Sequence, residues 1–125
     1  MGSHYADFHP DRMSIYIGSA AGHIFVIDKN TLEIITMTNA SMGAGHTTFI
    51  PMRNIAIITN HSSSYMTVID SPNYQFVKNV EVASSSSVDD KSQAHTSGVS
   101  LDMKYFYSAA SYDGVFFRID LDSWK

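Results

Sequence analysis

Three stretches decide the fold: Gly22-His23-Ile24-Phe25-Val26-Ile27-Asp28, Tyr65-Met66-Thr67-Val68-Ile69-Asp70 and Gly114-Val115-Phe116-Phe117-Arg118-Ile119-Asp120. Each is a short β-branched and aromatic run that ends in an Ile-Asp pair, the composition of a strand running into a turn. The pairs recur at positions 28, 70 and 120, so the steps are 42 and 50 residues. Working outward, each run is preceded by a second strand at 15–19, 55–60 or 105–109. Ahead of these lie the turns Pro10-Asp11-Arg12, Pro51-Met52-Arg53-Asn54 and Leu101-Asp102-Met103-Lys104. A shorter strand opens each unit, and a further one follows at 32–38 and 75–82.

A repeat of roughly 40–45 residues with four short strands is the period of a β-propeller blade. The units expected are 5–38, 46–82 and 95–125. The longer second step is taken up by the polar stretch 83–93, with Ser84-Ser85-Ser86-Ser87, read as a surface loop insertion. No segment sustains a helical period. The expected fold is therefore all-β: about three four-stranded propeller blades in a single partial-propeller domain.

The residues that carry this repeat also resemble a known group. Phe8-His9-Pro10-Asp11-Arg12 running to Ile15-Tyr16-Ile17, and Ile58-Thr59-Asn60 running to Val68-Ile69-Asp70, are similar to the YVTN-type propeller repeat. Nitrite reductase and nitrous oxide reductase propellers share that look. The resemblance covers nearly the whole chain and departs at Arg12, where the pattern has glycine, and at the turn Pro51-Met52-Arg53-Asn54. It implies a scaffold rather than an activity, and a periplasmic or extracytoplasmic setting.

Composition narrows the function classes. Of 125 residues, 44% are apolar and 16% charged, which supplies a core and argues against disorder. The net charge is −4 and the eight Lys and Arg are scattered, which speaks against a nucleic-acid surface and against docking on an anionic membrane. No cysteine is present, so disulfides and thiolate metal sites are excluded. No apolar run reaches the ~20 residues of a membrane-spanning helix.

Three blades are fewer than the roughly four to eight that close a propeller, and each blade buries its faces only against its neighbours. The expectation is a homo-oligomer, a homodimer closing one ring, with a fragment of a longer propeller as the alternative.

The histidines fall in a pattern. The start of an innermost strand and the hairpin between the second and third strands share one end of a blade. His46 and His95 start inner strands at matching repeat positions, five residues before Pro51 and Ser100, and Tyr5 holds that place in the first unit. His23 and His61 lie in the hairpins, while His9 belongs to the other end. His4 carries least weight, since Met1-Gly2-Ser3-His4 has the look of an expression-vector scar.

Imidazoles gathered around a channel mouth are a candidate metal site for zinc or copper, with His46, His95, His61 and His23 as ligands. The resemblance adds that nitrous oxide reductase propellers carry histidines for copper near their axis. The competing reading is a set of latches that hydrogen-bond neighbouring backbone. Function accordingly reads as a binding or scaffold module whose histidine-bearing mouth takes a metal, small ligand or protein; the alternative is a metal-dependent redox or hydrolytic propeller enzyme. Asp28, Asp70 and Asp120 read as turn-forming residues.

Overall fold

In the computed structural model the described residues are 3–82, 94–110 and 114–125, with the side chains of residues 3, 4, 94 and 95 outside that description. The stretch 83–93 expected as a loop insertion also lies outside the described residues.

The strands are β1 (Ser3–Phe8), β2 (Ser14–Ser19), β3 (His23–Asp28), β4 (Ile34–Asn39), β5 (Ala44–Ile50), β6 (Ile55–Asn60), β7 (Tyr65–Asp70), β8 (Gln75–Glu81), β9 (Ala94–Val99), β10 (Tyr105–Ala110) and β11 (Val115–Asp120). They form three antiparallel meanders ordered β1-β2-β3-β4, β5-β6-β7-β8 and β9-β10-β11. The architecture is all-β, three propeller blades and no closed ring among the described residues. β1 lies against β5 and β5 against β9, whereas the outer β4 and β8 meet only marginally. The sheets therefore fan out from their first strands, which become the channel-facing edge.

The Ile-Asp pairs fix the turn that leads out of each third strand. Asp28 accepts hydrogen bonds from the N–H groups of Asn30 and Thr31 at 2.8 and 2.9 Å. Asp120 accepts them from Asp122 and Ser123 at 2.8 and 3.0 Å, and Asp70 from Asn73 at 3.2 Å. These N–H donors hold the Asp28 and Asp120 carboxyls below the usual carboxylate range. Four residues after each aspartate the chain takes a left-handed conformation, at Leu32 (φ 60°), Tyr74 (60°) and Trp124 (60°). Turn formation, the role read from the sequence, is what these aspartates do.

Two apolar seams join the blades. Tyr16, Ile24 and Val26 of the first blade pack on Ala56, Ile58 and Ile69 of the second, all fully buried. Ile57, Met66 and Val68 of the second pack on Phe106, Ile119 and Leu121 of the third. Burying a side chain of this size contributes roughly 1.5–3 kcal/mol. Polar clasps sit at the rim of each seam. Tyr16 donates to the Ser71 carbonyl at 3.1 Å, and burial pushes its phenol pKa up. Arg53 donates to the carbonyls of Met103 (3.0 Å) and Leu121 (3.2 Å) and pairs with Asp122 at 2.7 Å.

Candidate functional site

The innermost strands share an irregularity that the sequence does not advertise. In β1 two residues, His4 and Tyr5, stand opposite one, between the pairs Ser3–Ser19 and Ala6–Ile17. β5 does the same with Gly45 and His46, between Ala44–Asn60 and Thr47–Ile58. β9 repeats it with His95 and Thr96, between Ala94–Ala110 and Ser97–Ser108. A β-bulge re-aims the side chains of the bulged strand. Three bulges in register, all on channel-facing strands, turn a set of Tyr, His and Thr residues toward one end of the channel edge.

This register corrects the sequence alignment. The place of Tyr5 and His46 is held in the third blade by Thr96, and His95 sits at the place of Gly45. The slip arises at the turn: six residues separate Val99 from Phe106, just as six separate Phe49 from Ala56. Leu101, not Ser100, is thus the counterpart of Pro51. In a strand a shift of one residue exchanges the two faces. The side chain of His95 lies outside the described residues.

Tyr5, His46 and His61 are brought together. The Tyr5 ring stacks on His46 at a centroid distance of 3.6 Å and on His61 at 5.7 Å. His61, the first residue after β6, packs on Gly45: a Cβ there would collide with its imidazole. Asp7 completes the group. Its Oδ2 accepts the Thr47 N–H at 2.8 Å and lies 3.8 Å from His46 Nδ1. One strand further round, Thr48 Oγ1 and Ser97 Oγ are hydrogen-bonded at 2.6 Å. Asp7 and Thr48 occupy equivalent positions, and each reaches the inner strand of the next blade.

Between these strands lies a cleft of about 330 Å³ lined by Asp7, His46, Thr47, Thr48, Thr96 and Ser97. Every lining residue is polar and all come from β1, β5 and β9. Thr47 is 6% exposed, and its hydroxyl has no hydrogen-bond partner among the described residues.

His23 and His9 go elsewhere. His23 lies on β3 beside Phe25, ring centroids 6.4 Å apart, on the face of the first blade turned away from the second. His9 is at the opposite end, where its Nε2 bonds the Ser71 hydroxyl at 2.7 Å and its ring meets Phe49 edge-on at 5.0 Å. His9 thus ties the first blade to the second through the Ser71 hydroxyl. Among the described residues no three His, Asp or Glu side chains converge as metal ligands. Zinc takes four ligands, or three and a water, and the described donor set does not reach that.

No family model and no curated protein matches the sequence. Among solved structures the chain is similar to hydrazine synthase of Kuenenia stuttgartiensis, with a TM-score of 0.82 and 17% identity, over 98% of this chain and 34% of that one. The likeness is one of β-propeller fold. The chain thus spans about a third of the length of the protein it matches.

Proposed function

We propose that this chain is a binding module of the propeller class whose channel-edge cleft holds a small polar molecule bearing hydroxyl or amino groups. The observation that carries the reading is the cleft itself: six polar side chains from the inner strands of three blades, with none apolar. Asp7 supplies a carboxylate, His46 an imidazole already braced by the Tyr5 ring, and Thr47, Thr48, Thr96 and Ser97 hydroxyls that both donate and accept. A few fixed polar groups of this kind orient a ligand rather than simply enclose it.

Calorimetric titration with a panel of small polyols, amino alcohols and amines tests the reading, with zinc and copper ions as separate arms. Binding at one site per chain, weakened at least tenfold in His46→Ala and in Thr48→Ala, supports it; a lost hydrogen bond of ~1–1.5 kcal/mol amounts to about that factor. Binding indifferent to both substitutions overturns the assignment of the cleft. Stoichiometric zinc or copper uptake abolished in His46→Ala would replace the polar-ligand reading with the metal one.

A further inference from the structure

The two seams fill one repeat position with different chemistry. Register makes His9 the counterpart of Ile50 and Ser71 the counterpart of Leu121. Ile50 and Leu121 are buried in one apolar cluster between the second and third blades. The first seam places an imidazole and a hydroxyl there instead, which packing alone does not require. A local rule kept in one repeat and broken in another marks a position held for chemistry.

A third polar group completes the set. His9 Nε2 lies 2.7 Å from Ser71 Oγ, and its Nδ1 lies 2.9 Å from Asp11 Oδ1. Two bare acceptors cannot face each other at that distance, so a proton stands between Nδ1 and the carboxylate. The Asp11 N–H, 3.2 Å from the same nitrogen, is the weaker contact. Nε2 is then the unprotonated nitrogen, and the Ser71 hydroxyl donates to it. The Met13 N–H, and after it His9, hold the Asp11 carboxyl below the usual carboxylate range, so it stays ionised.

Each member is fixed in place. The Ser71 N–H donates to the Asn54 carbonyl at 3.0 Å, and the Ser71 carbonyl accepts the Tyr16 hydroxyl at 3.1 Å. The His9 ring stacks on Tyr16 at 5.9 Å and meets Phe49 edge-on. Ser71 and His9 line a pocket of about 100 Å³, with Phe49, Pro51, Ile55 and Pro72 as apolar walls and Asn54 as a further polar residue. A hydroxyl bonded to a base, and that base oriented by a carboxylate, is the arrangement of covalent acyl transfer. It is recognised by geometry and not by sequence order.

We propose that Ser71, His9 and Asp11 form a hydrolytic triad that cleaves small carboxylic esters, the pocket taking a compact apolar acyl group. Ser71 Oγ attacks the ester carbonyl carbon, and its proton passes to His9 Nε2 while Asp11 steadies the imidazolium. The Asn54 side-chain amide donates to the carbonyl oxygen as that oxygen gains charge. The bond from the carbonyl carbon to the alkoxy oxygen then breaks, and the alcohol leaves with the proton from His9. Water attacks the acyl carbon and gives a proton to His9. The bond to Ser71 Oγ breaks, Ser71 recovers that proton, and the carboxylic acid departs. The triad stands at the end of the seam opposite the Asp7–His46 cleft and shares no residue with it.

The test uses the chain as it stands, with a fluorophosphonate probe and p-nitrophenyl acetate. Peptide mass spectrometry is expected to find the phosphonyl adduct on Ser71. Release of p-nitrophenol is expected to fall to the uncatalysed rate in Ser71→Ala, with the circular dichroism spectrum retained. Asp11→Asn keeps an oxygen for the Met13 N–H. It is expected to lower kcat by roughly tenfold or more with KM unchanged, because Asp11 acts through His9 and does not touch the ester. Asn54→Gly preserves the left-handed backbone at that residue (φ 54°) and is expected to lower kcat as well. A folded parent with no adduct on Ser71 overturns the proposal. So does ester hydrolysis that persists in Ser71→Ala, or a kcat indifferent to Asp11→Asn.

Discussion

Gly18 is the position at which the packing of the first two blades is most exposed to a single methyl group. It lies on β2 facing β5, opposite the bulged pair of β1. A Cβ added there would stand 2.6 Å from the Gly45 carbonyl oxygen and 2.8 Å from the Ala44 carbonyl carbon. Both are backbone atoms, so no side chain can swing aside. β5 must retreat by about 0.8 Å along a seam packed to crystal-like density.

Overpacking of this kind costs roughly 1–3 kcal/mol, and the usual gain of under ~1 kcal/mol from replacing a strand glycine offsets part of it. Gly18→Ala is therefore expected to lose about 2 kcal/mol, a fall of roughly 8 °C in Tm for a domain of this size. Thermal and urea unfolding followed by circular dichroism measure it, with Gly98→Ala as the control because a Cβ there meets nothing within 4 Å. The same retreat displaces the Gly45-His46 bulge, so ligand binding in the cleft should weaken together with stability. A Gly18→Ala melt within about 2 °C of the parent would refute the reasoning, since it would mean that the blades are not in backbone contact there.

Gly45→Ala drives a methyl group into the His61 ring, and is expected to lose about 1–3 kcal/mol and to change the near-ultraviolet signal of Tyr5; equal stability and an unchanged spectrum would count against the stack. Arg53→Ala removes two carbonyl contacts and an ion pair to the third blade. A loss of about 2 kcal/mol by urea titration is expected, with Lys in its place recovering little because it lacks the planar fork. The Asp28 and Asp120 carboxyls are held below their unfolded values by turn N–H donors, so their contribution is present above about pH 4 and disappears as pH falls through the folded values. Unfolding titrations from pH 7 to pH 2.5 should show that loss, and it should be shallower in Asp120→Asn, which starts less stable at pH 7.

The propeller class was legible from local chemistry. Strand composition, the Ile-Asp punctuation and the repeat length are properties of short stretches, and each meander forms from neighbours in sequence. The turn role of Asp28, Asp70 and Asp120 was legible for the same reason: a carboxylate finds its donors two or three residues away. The gathering of His46 and His61 at one end followed from counting strands, because a hairpin and a strand start share an end whatever the packing.

What tertiary structure decided was register and company. Counting from the third turn as if Ser100 matched Pro51 gives His95 the place of His46, whereas the ladder gives that place to Thr96. Sequence spacing cannot see a bulge, which is set by how two strands pair. Nor does spacing show that Asp7 reaches across to Thr47 and Thr48 to Ser97, contacts between residues some 40–50 positions apart. The sequence puts His9 and His23 at opposite ends of the first blade; the packing of blade on blade ties His9 to Ser71 and leaves His23 on an outward face. The sequence by itself determined the units, because a strand and its turn are local solutions to burial and hydrogen bonding. The tertiary structure alone decided the site, because a site is made where separate units meet.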